Sequence, residues 1–131
     1  MEEIKIDTSS REELKDITAR VEDLVREAEI REGVCRVYVP HTTAAVTVNE
    51  SADPDVRKDI LDRLSQLAPK GDGYRHREGN SDAHIKSSLI GNTAQLLIEE
   101  GKLATGTWQG VFFCEFDGPR TRRIWVQLAK L

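Results

Sequence analysis

The sequence predicts an α+β fold, an antiparallel β-sheet or sandwich carrying two main helices and one short helix. Three observations predict it. The segment from Ala94 to Leu128 alternates apolar and polar side chains between glycine-containing turns, as strands of a half-buried antiparallel sheet do. A stripe of apolar residues at helical spacing, Val56, Ile60, Leu61, Leu64 and Leu67, follows the helix-starting pair Asp53-Pro54. The length, 131 residues, is that of one domain, so residues 1–131 are read as a single unit.

Composition narrows the class. With 38% hydrophobic and 32% charged residues the chain has enough apolar mass for a core and enough charge to solvate it, which argues against disorder. The net charge of −4 comes from basic residues scattered among acidic ones, so no polybasic face marks it for nucleic acid or an anionic membrane. No apolar stretch approaches the roughly 20 residues of a membrane span, and Met1-Glu2-Glu3 does not open a signal peptide. A cytoplasmic location is therefore expected. Cys35 and Cys114 lie inside strand-like runs without metal or redox spacing and are expected to be buried free thiols.

In chain order, Ile4-Lys5-Ile6 reads as a strand and Thr8-Ser9-Ser10 as a turn. The next twenty residues admit two readings. Ser10 and Glu13 have capping-box spacing, and Leu14, Ile17, Val21, Leu24, Val25 and Ala28 share one stripe, giving a helix from about residue 11. Alternatively, Glu13 to Ile17 forms a hairpin with the first strand, and Thr18 caps a helix from Ala19 to about Ile30. Gly33 is placed to end that helix, and Val34 to Val39 alternates as a strand stopped by Pro40. Ala44 to Val48 is the next strand, separated from the last by the polar junction Pro40-His41-Thr42-Thr43. The Asp53-capped helix ends at Pro69 and Gly71. Lys70 to Asp82 is a polar, glycine-rich segment too long for an ordinary connection, which marks it as a functional or disordered loop. A short helix starts near Asp82 and ends at Gly91. Strands then run from Ala94 to Ile98, Thr107 to Phe116, with Trp108 inside, and Thr121 to Leu128, joined by turns at Glu100-Gly101 and Asp117-Gly118-Pro119.

Four polar groups interrupt these patterns: His41-Thr42-Thr43; Asn49-Glu50 with Asp53; His76 through His84; and Glu115 with Asp117 and Arg120. His41, His76 and His84 are the only histidines, and three neutral imidazoles suit a zinc site with an open position. Their spacing lacks the i, i+4 pattern of a helical metal motif, so such a site depends on convergence in space. Glu50 is placed to act as a general base, or to enter the following helix as a plain turn carboxylate. Asp53 is most simply a helix cap. Ser81 to Ser88 opens a helix with hydroxyls, Lys86 and free amides, a composition that suits an anion or an ordinary capped helix. Arg120 and Arg122 share one strand parity and are expected to point the same way.

The segments His41-Thr42-Thr43-Ala44-Ala45-Val46-Thr47-Val48-Asn49-Glu50, Gly79-Asn80-Ser81-Asp82-Ala83-His84-Ile85-Lys86-Ser87-Ser88, Gly106-Thr107-Trp108-Gln109-Gly110 and Glu115-Phe116-Asp117-Gly118-Pro119-Arg120 together resemble the successive motifs of the YjbQ-like family. The resemblance covers nearly the whole chain. It implies a compact α+β protomer, assembly as a homotrimer with itself as partner, and a polar cleft near a subunit boundary; it also favours the hairpin reading of residues 13–17. It further implies a link to thiamine-phosphate synthesis, in which a hydroxymethylpyrimidine diphosphate is joined to a thiazole phosphate.

On that resemblance the metal positions are His41, His76 and His84. Glu50 and Asn49 are the catalytic candidates, and Thr42, Thr43, Asp53, Asn80, Lys86, Ser87 and Arg120 line the surrounding substrate or anion site. The expected cofactor is a divalent metal, Zn²⁺ on the histidine set and Mg²⁺ if diphosphate is handled. The leading reading is a metal-assisted enzyme on a small phosphorylated substrate. Its rivals are a zinc-dependent hydrolase and a non-catalytic trimeric protein that binds a metal or small ligand.

Overall fold

The computed structural model describes residues 1–131. Its elements are β1 (Glu2–Asp7), β2 (Glu13–Asp16), α1 (Thr18–Ala28), β3 (Gly33–Tyr38), β4 (Ala44–Glu50), α2 (Pro54–Leu67), α3 (Ser81–Ile90), β5 (Thr93–Glu99), β6 (Lys102–Ala104), β7 (Gln109–Glu115) and β8 (Thr121–Lys130). The strands form a five-stranded sheet, β1-β8-β3-β5-β6, and a three-stranded sheet, β2-β7-β4, with every pairing antiparallel. No helix is long and apolar enough to cross a membrane.

The two sheets differ in what covers them, and the sequence pattern follows. Ile4, Ile6, Val37, Ile124 and Val126 of the large sheet meet Val111, Phe113 and Val46 of the small one, with Val21 and Val25 of α1 completing the core. The other face of the small sheet is covered by Leu64 of α2 and Ala83 of α3, which pack with Phe112, Cys114 and Phe116. β7 is thus buried on both faces, which is why Val111 to Cys114 reads as an unbroken apolar run. β8, covered on one face only, alternates buried and exposed residues along most of its length. Cys35 and Cys114 are buried free thiols, as expected.

Several boundaries differ from the sequence reading. Residues 13–16 are a strand, but they do not form a hairpin with β1. Leu14 lies opposite Cys114 of β7, while β1 pairs with β8, so the chain crosses between sheets at residues 8–12. The Ser10–Glu13 spacing does make cap-like bonds, in a loop rather than a helix: Glu13 Oε2 accepts the Ser9 and Ser10 amides at 2.7 and 2.8 Å. Thr18 is not the cap of α1. Asp16 Oδ1 accepts its N–H at 2.9 Å, and its hydroxyl accepts the Val111 amide at 2.8 Å, tying α1 to β7.

Gly33 does not end α1, which stops at Ala28 with Glu29 in a left-handed conformation. Gly33 instead opens β3, where a Cβ would lie 2.2 Å from the Ala129 carbonyl oxygen. Trp108 sits in the turn before β7 and is 64% exposed, so it is neither a strand residue nor core. The Asp53 cap is as expected, its carboxylate accepting the Asp55 amide at 2.9 Å.

Candidate functional site

Register builds the site. Ala44 lies opposite Glu115, and the Phe116 amide donates to the Thr43 carbonyl at 3.2 Å, so the junction Pro40–Thr43 runs beside the β7–β8 turn. α3 packs on β4, and the Ser87 hydroxyl donates to the Thr42 carbonyl at 2.6 Å. These three segments border an open cleft of about 370 Å³ lined by His41, Thr42, Thr43, Asn80, His84, Asp117, Arg120 and Arg122, together with Pro40 and Glu78. None of its lining residues is hydrophobic. A second cavity of about 520 Å³ shares His41, Thr42 and His84 and reaches Ser87, Ser88 and Asn92. Both fall in the size range that small-molecule sites occupy.

Beneath this cleft lies a buried ion pair between Glu115, which the sequence marked as a polar break, and Arg122, which the sequence placed on the parity of Arg120 without joining it to Glu115. Glu115 is fully buried and Arg122 is 5% exposed. Arg122 Nε donates to Glu115 Oε1 at 2.9 Å, and its Nη2 donates to the other carboxylate oxygen and to the Thr43 hydroxyl at 2.8 Å. The carboxylate also accepts the Thr8 hydroxyl at 2.7 Å and the Asp117 amide at 3.1 Å. Burial alone would raise the Glu115 pKa; the hydrogen bonds of Arg122 and Thr8 outweigh it and hold the group below its usual value. A signal for this pair exists in the sequence, since Glu115 is the one charge at the end of the Val111–Phe116 run. Arg122 likewise occupies the inward parity set by Ile124 and Val126.

Arg120, a sequence candidate, is on the same cleft, 54% of its side chain exposed and paired with Asp117 at 3.0 Å. Asn80 donates to the same Asp117 carboxylate at 2.9 Å, and its Oδ1 is sealed from solvent without a partner.

The histidines are only partly brought together. His41 and His84 share the cleft, and the rings of His84 and His76 meet edge-on at 5.5 Å. His41 Nε2 accepts the Arg123 backbone N–H at 3.0 Å, which uses that nitrogen's lone pair and leaves the proton of the neutral ring on Nδ1. Burial, then the Arg122 charge, lowers its pKa in the same sense. Within one protomer no group of three or more His, Cys, Asp or Glu side chains is disposed to hold a metal ion. The three histidines therefore do not fit a three-ligand zinc site here. The His76 and His84 ring centres, 5.5 Å apart, are close to the about 5 Å expected of two imidazoles on one tetrahedral zinc, given Zn–N distances of about 2.0 Å.

Other candidates serve the scaffold. Lys86 is 1% exposed, and its ammonium donates to Glu12 at 2.9 Å, Asp82 at 3.2 Å and Ser65 at 3.4 Å, so no donor is left for an anion in the cleft. Arg11 forks onto the same Asp82 at 3.1 and 3.2 Å. Burial would raise the Asp82 pKa; these two cations more than reverse it, leaving it lowered. Ser87 supports Thr42. Asn49, Glu50 and Asp53 lie at the opposite end of β4 from His41, a separation of about 20 Å over a strand of this length. There Glu50 Oε2 accepts the Ala52 amide at 2.8 Å and Asp53 caps α2, so within the protomer Glu50 and Asn49 do not face the histidine cleft.

The family profile described as UPF0047 protein YjbQ-like matches residues 2–131. The chain belongs to the YjbQ-like family. A UPF0047 protein of Methanocaldococcus jannaschii is 52% identical over 124 residues, covering 95% of this chain and 90% of its own. The UPF0047 protein YugU of Bacillus subtilis is 48% identical over 126 residues, covering 95% and 96%. Among solved structures, a YjbQ/UPF0047 family protein of Clostridium acetobutylicum superposes with a TM-score of 0.97 at 49% identity, covering 98% of this chain and all of that one. A protein of Sulfolobus solfataricus described as YbjQ-like gives 0.95 at 34% identity, covering 99% and 96%. The YjbQ-like motifs thus divide between two places in the protomer, the cleft and the far end of β4.

Proposed function

We propose that this chain is an enzyme acting on a small phosphorylated molecule held in the cleft between Pro40–Thr43, the start of α3 and the β7–β8 turn. The observation that carries this reading is the convergence of two guanidinium side chains, Arg120 and Arg122, with two imidazoles, His41 and His84, on one cavity without hydrophobic lining. Guanidiniums offset charge on phosphate oxygens, and imidazoles move protons near neutral pH. The reaction put first is transfer with diphosphate as leaving group, of the thiamine-phosphate-synthase type. A thiazole nitrogen attacks the pyrimidine methylene carbon, the carbon–oxygen bond to diphosphate breaks, and that oxygen keeps the electron pair.

Incubating the purified chain with the two phosphorylated precursors and quantifying thiamine phosphate and diphosphate tests it. Product that disappears in His84→Ala and Arg120→Ala is expected; no product above a protein-free blank overturns the synthase assignment. Diphosphate bound without turnover of any phosphorylated substrate would leave a binding protein instead.

The spacing of His76 and His84 favours a second reading, a zinc-dependent hydrolase, in which these two residues would hold the metal and the ion would supply Lewis-acid charge beside the cleft. Zinc measured on tag-free protein after zinc is offered decides it: less than about a tenth of an ion per chain sinks this reading, since competent zinc sites fill readily.

Homotrimer formation belongs to the proposal, because Glu50 and Asn49 can serve a histidine cleft only by reaching that of a neighbouring copy. Light scattering at micromolar concentration is expected to give three chains, and a monomer would remove Glu50 and Asn49 from the site.

A further inference from the structure

Arg122 is the least exposed cation bordering the cleft, and its contacts are unevenly distributed. Nε and Nη2 are committed to Glu115 and Thr43. Nη1 has no partner in the chain, yet it is not among the buried polar atoms sealed from solvent, and the side chain lines the polar cavity. A guanidinium held from behind on two nitrogens, with the third left open to a cavity, is a directed donor group rather than a simple countercharge.

Glu115 makes this arrangement rigid. It is wholly buried and accepts from Thr8 and Asp117 as well as from Arg122, so its charge is spent on groups behind the cleft wall. Arg120 is different in kind: it is half-exposed, and its Nε and Nη2 are both held by Asp117. Nη1 of Arg120 also lacks a partner, but on an exposed side chain held by one residue, whereas Nη1 of Arg122 sits on a buried guanidinium held by both Glu115 and Thr43. His41 adds a second fixed donor, because a ring whose Nε2 accepts the Arg123 amide carries its proton on Nδ1.

We propose that Arg122, positioned by Glu115 and Thr43, is the anchor for a phosphate-class oxyanion in this cleft, its Nη1 donating to the ligand. The inference rests on the phosphorylated-substrate reading above and names the residue that selects the anion. A tetrahedral oxyanion suits the site because three separate donor groups border it, Arg120 and Arg122 from the start of β8 and His41 from the β3–β4 junction, whereas a planar carboxylate is best met by a single fork.

Calorimetric titration of the protein with inorganic diphosphate tests it, using Arg122→Lys, the paired change Arg122→Met with Glu115→Gln, and the exposed control Arg36→Ala. Lysine keeps a countercharge for Glu115 but has no second terminal nitrogen, and the paired change removes both buried charges together. Each Arg122 variant that melts cooperatively is expected to bind about tenfold to a hundredfold more weakly, the size of one charge-assisted hydrogen bond, with Arg36→Ala unchanged. The wild-type protein gives an independent readout, since the Arg122 Nε–H resonance should shift on diphosphate addition even if every variant fails to fold. Binding by folded Arg122 variants at wild-type strength, or an unmoved Arg122 resonance while diphosphate binds, overturns the anchor and leaves the cleft reading standing. If the wild-type protein binds no diphosphate at millimolar concentration, both fall.

Discussion

His41 accepts the backbone N–H of Arg123 through Nε2 at 3.0 Å, joining the β3–β4 junction to β8 across 82 residues of sequence. The bond requires an unprotonated Nε2, and burial, then the Arg122 charge, lower the pKa of this ring from the usual histidine value of about 6.5. Its folded pKa is lowered, so the unfolded chain binds the proton more readily, and the contribution to stability is lost as pH falls from about 6.5 through the folded value. A ring-proton titration by NMR that places His41 at or above 6.5 would contradict this geometry.

The buried pair of Glu115 and Arg122 should be needed as a pair. Arg122→Met alone leaves an unpaired carboxylate in the interior and is expected to cost about 3–5 kcal/mol in denaturant unfolding, whereas adding Glu115→Gln should recover much of that loss. Equal destabilisation by the single and paired changes would show that the two groups are not coupled.

Glu115 and Asp82 both have lowered pKa values in the folded chain. Their contribution is present above the unfolded carboxylate values of about 4 and is lost as pH falls through the lower folded values. The melting temperature should therefore drop steeply below about pH 4, and the paired Arg122→Met, Glu115→Gln protein should show a shallower drop. Parallel profiles for the two proteins would rule out Glu115 as a source of the acid sensitivity.

Lys86 is expected to matter for stability and not for the cleft. Lys86→Met removes a donor shared by Glu12, Asp82 and Ser65 and should destabilise by about 3 kcal/mol, while diphosphate affinity stays within about twofold in protein that remains folded. A large loss of affinity at unchanged stability would return Lys86 to the anion site.

Gly118 has no room for a side chain. A Cβ there would lie 2.3 Å from the Ser10 carbonyl oxygen and 2.7 Å from Glu115 Cγ, so Gly118→Ala should cost about 1–3 kcal/mol and disturb Glu115 directly. Chemical denaturation measures it, and a neutral result would mean that the β7–β8 turn yields without strain.

Much of the fold was legible because periodicity reports local environment. β1, β3 and β8 alternate, α2 carries an Asp-Pro start and an apolar stripe, and the turns at Glu100-Gly101 and Asp117-Gly118 fall where glycine sits. The pairing of β2 was not legible, since a four-residue strand carries the same alternation whichever sheet it joins. α3 defeated periodicity differently: its buried face includes Asp82, Lys86 and Ser87, which resemble a solvated surface until Arg11 and Glu12 are placed against them.

The sequence by itself determined the α+β class, most of the elements, the buried thiols and the family motifs, because these depend on local pattern and on residue order. Only the tertiary structure decided which motif residues share a site. It set His41, His84, Arg120 and Arg122 around one cleft, turned Lys86 inward, and left Asn49 and Glu50 at the far end of β4. The physical reason is that strand register and sheet crossing fix distances between segments far apart in the chain, and a side chain's chemistry depends on the partners those distances supply.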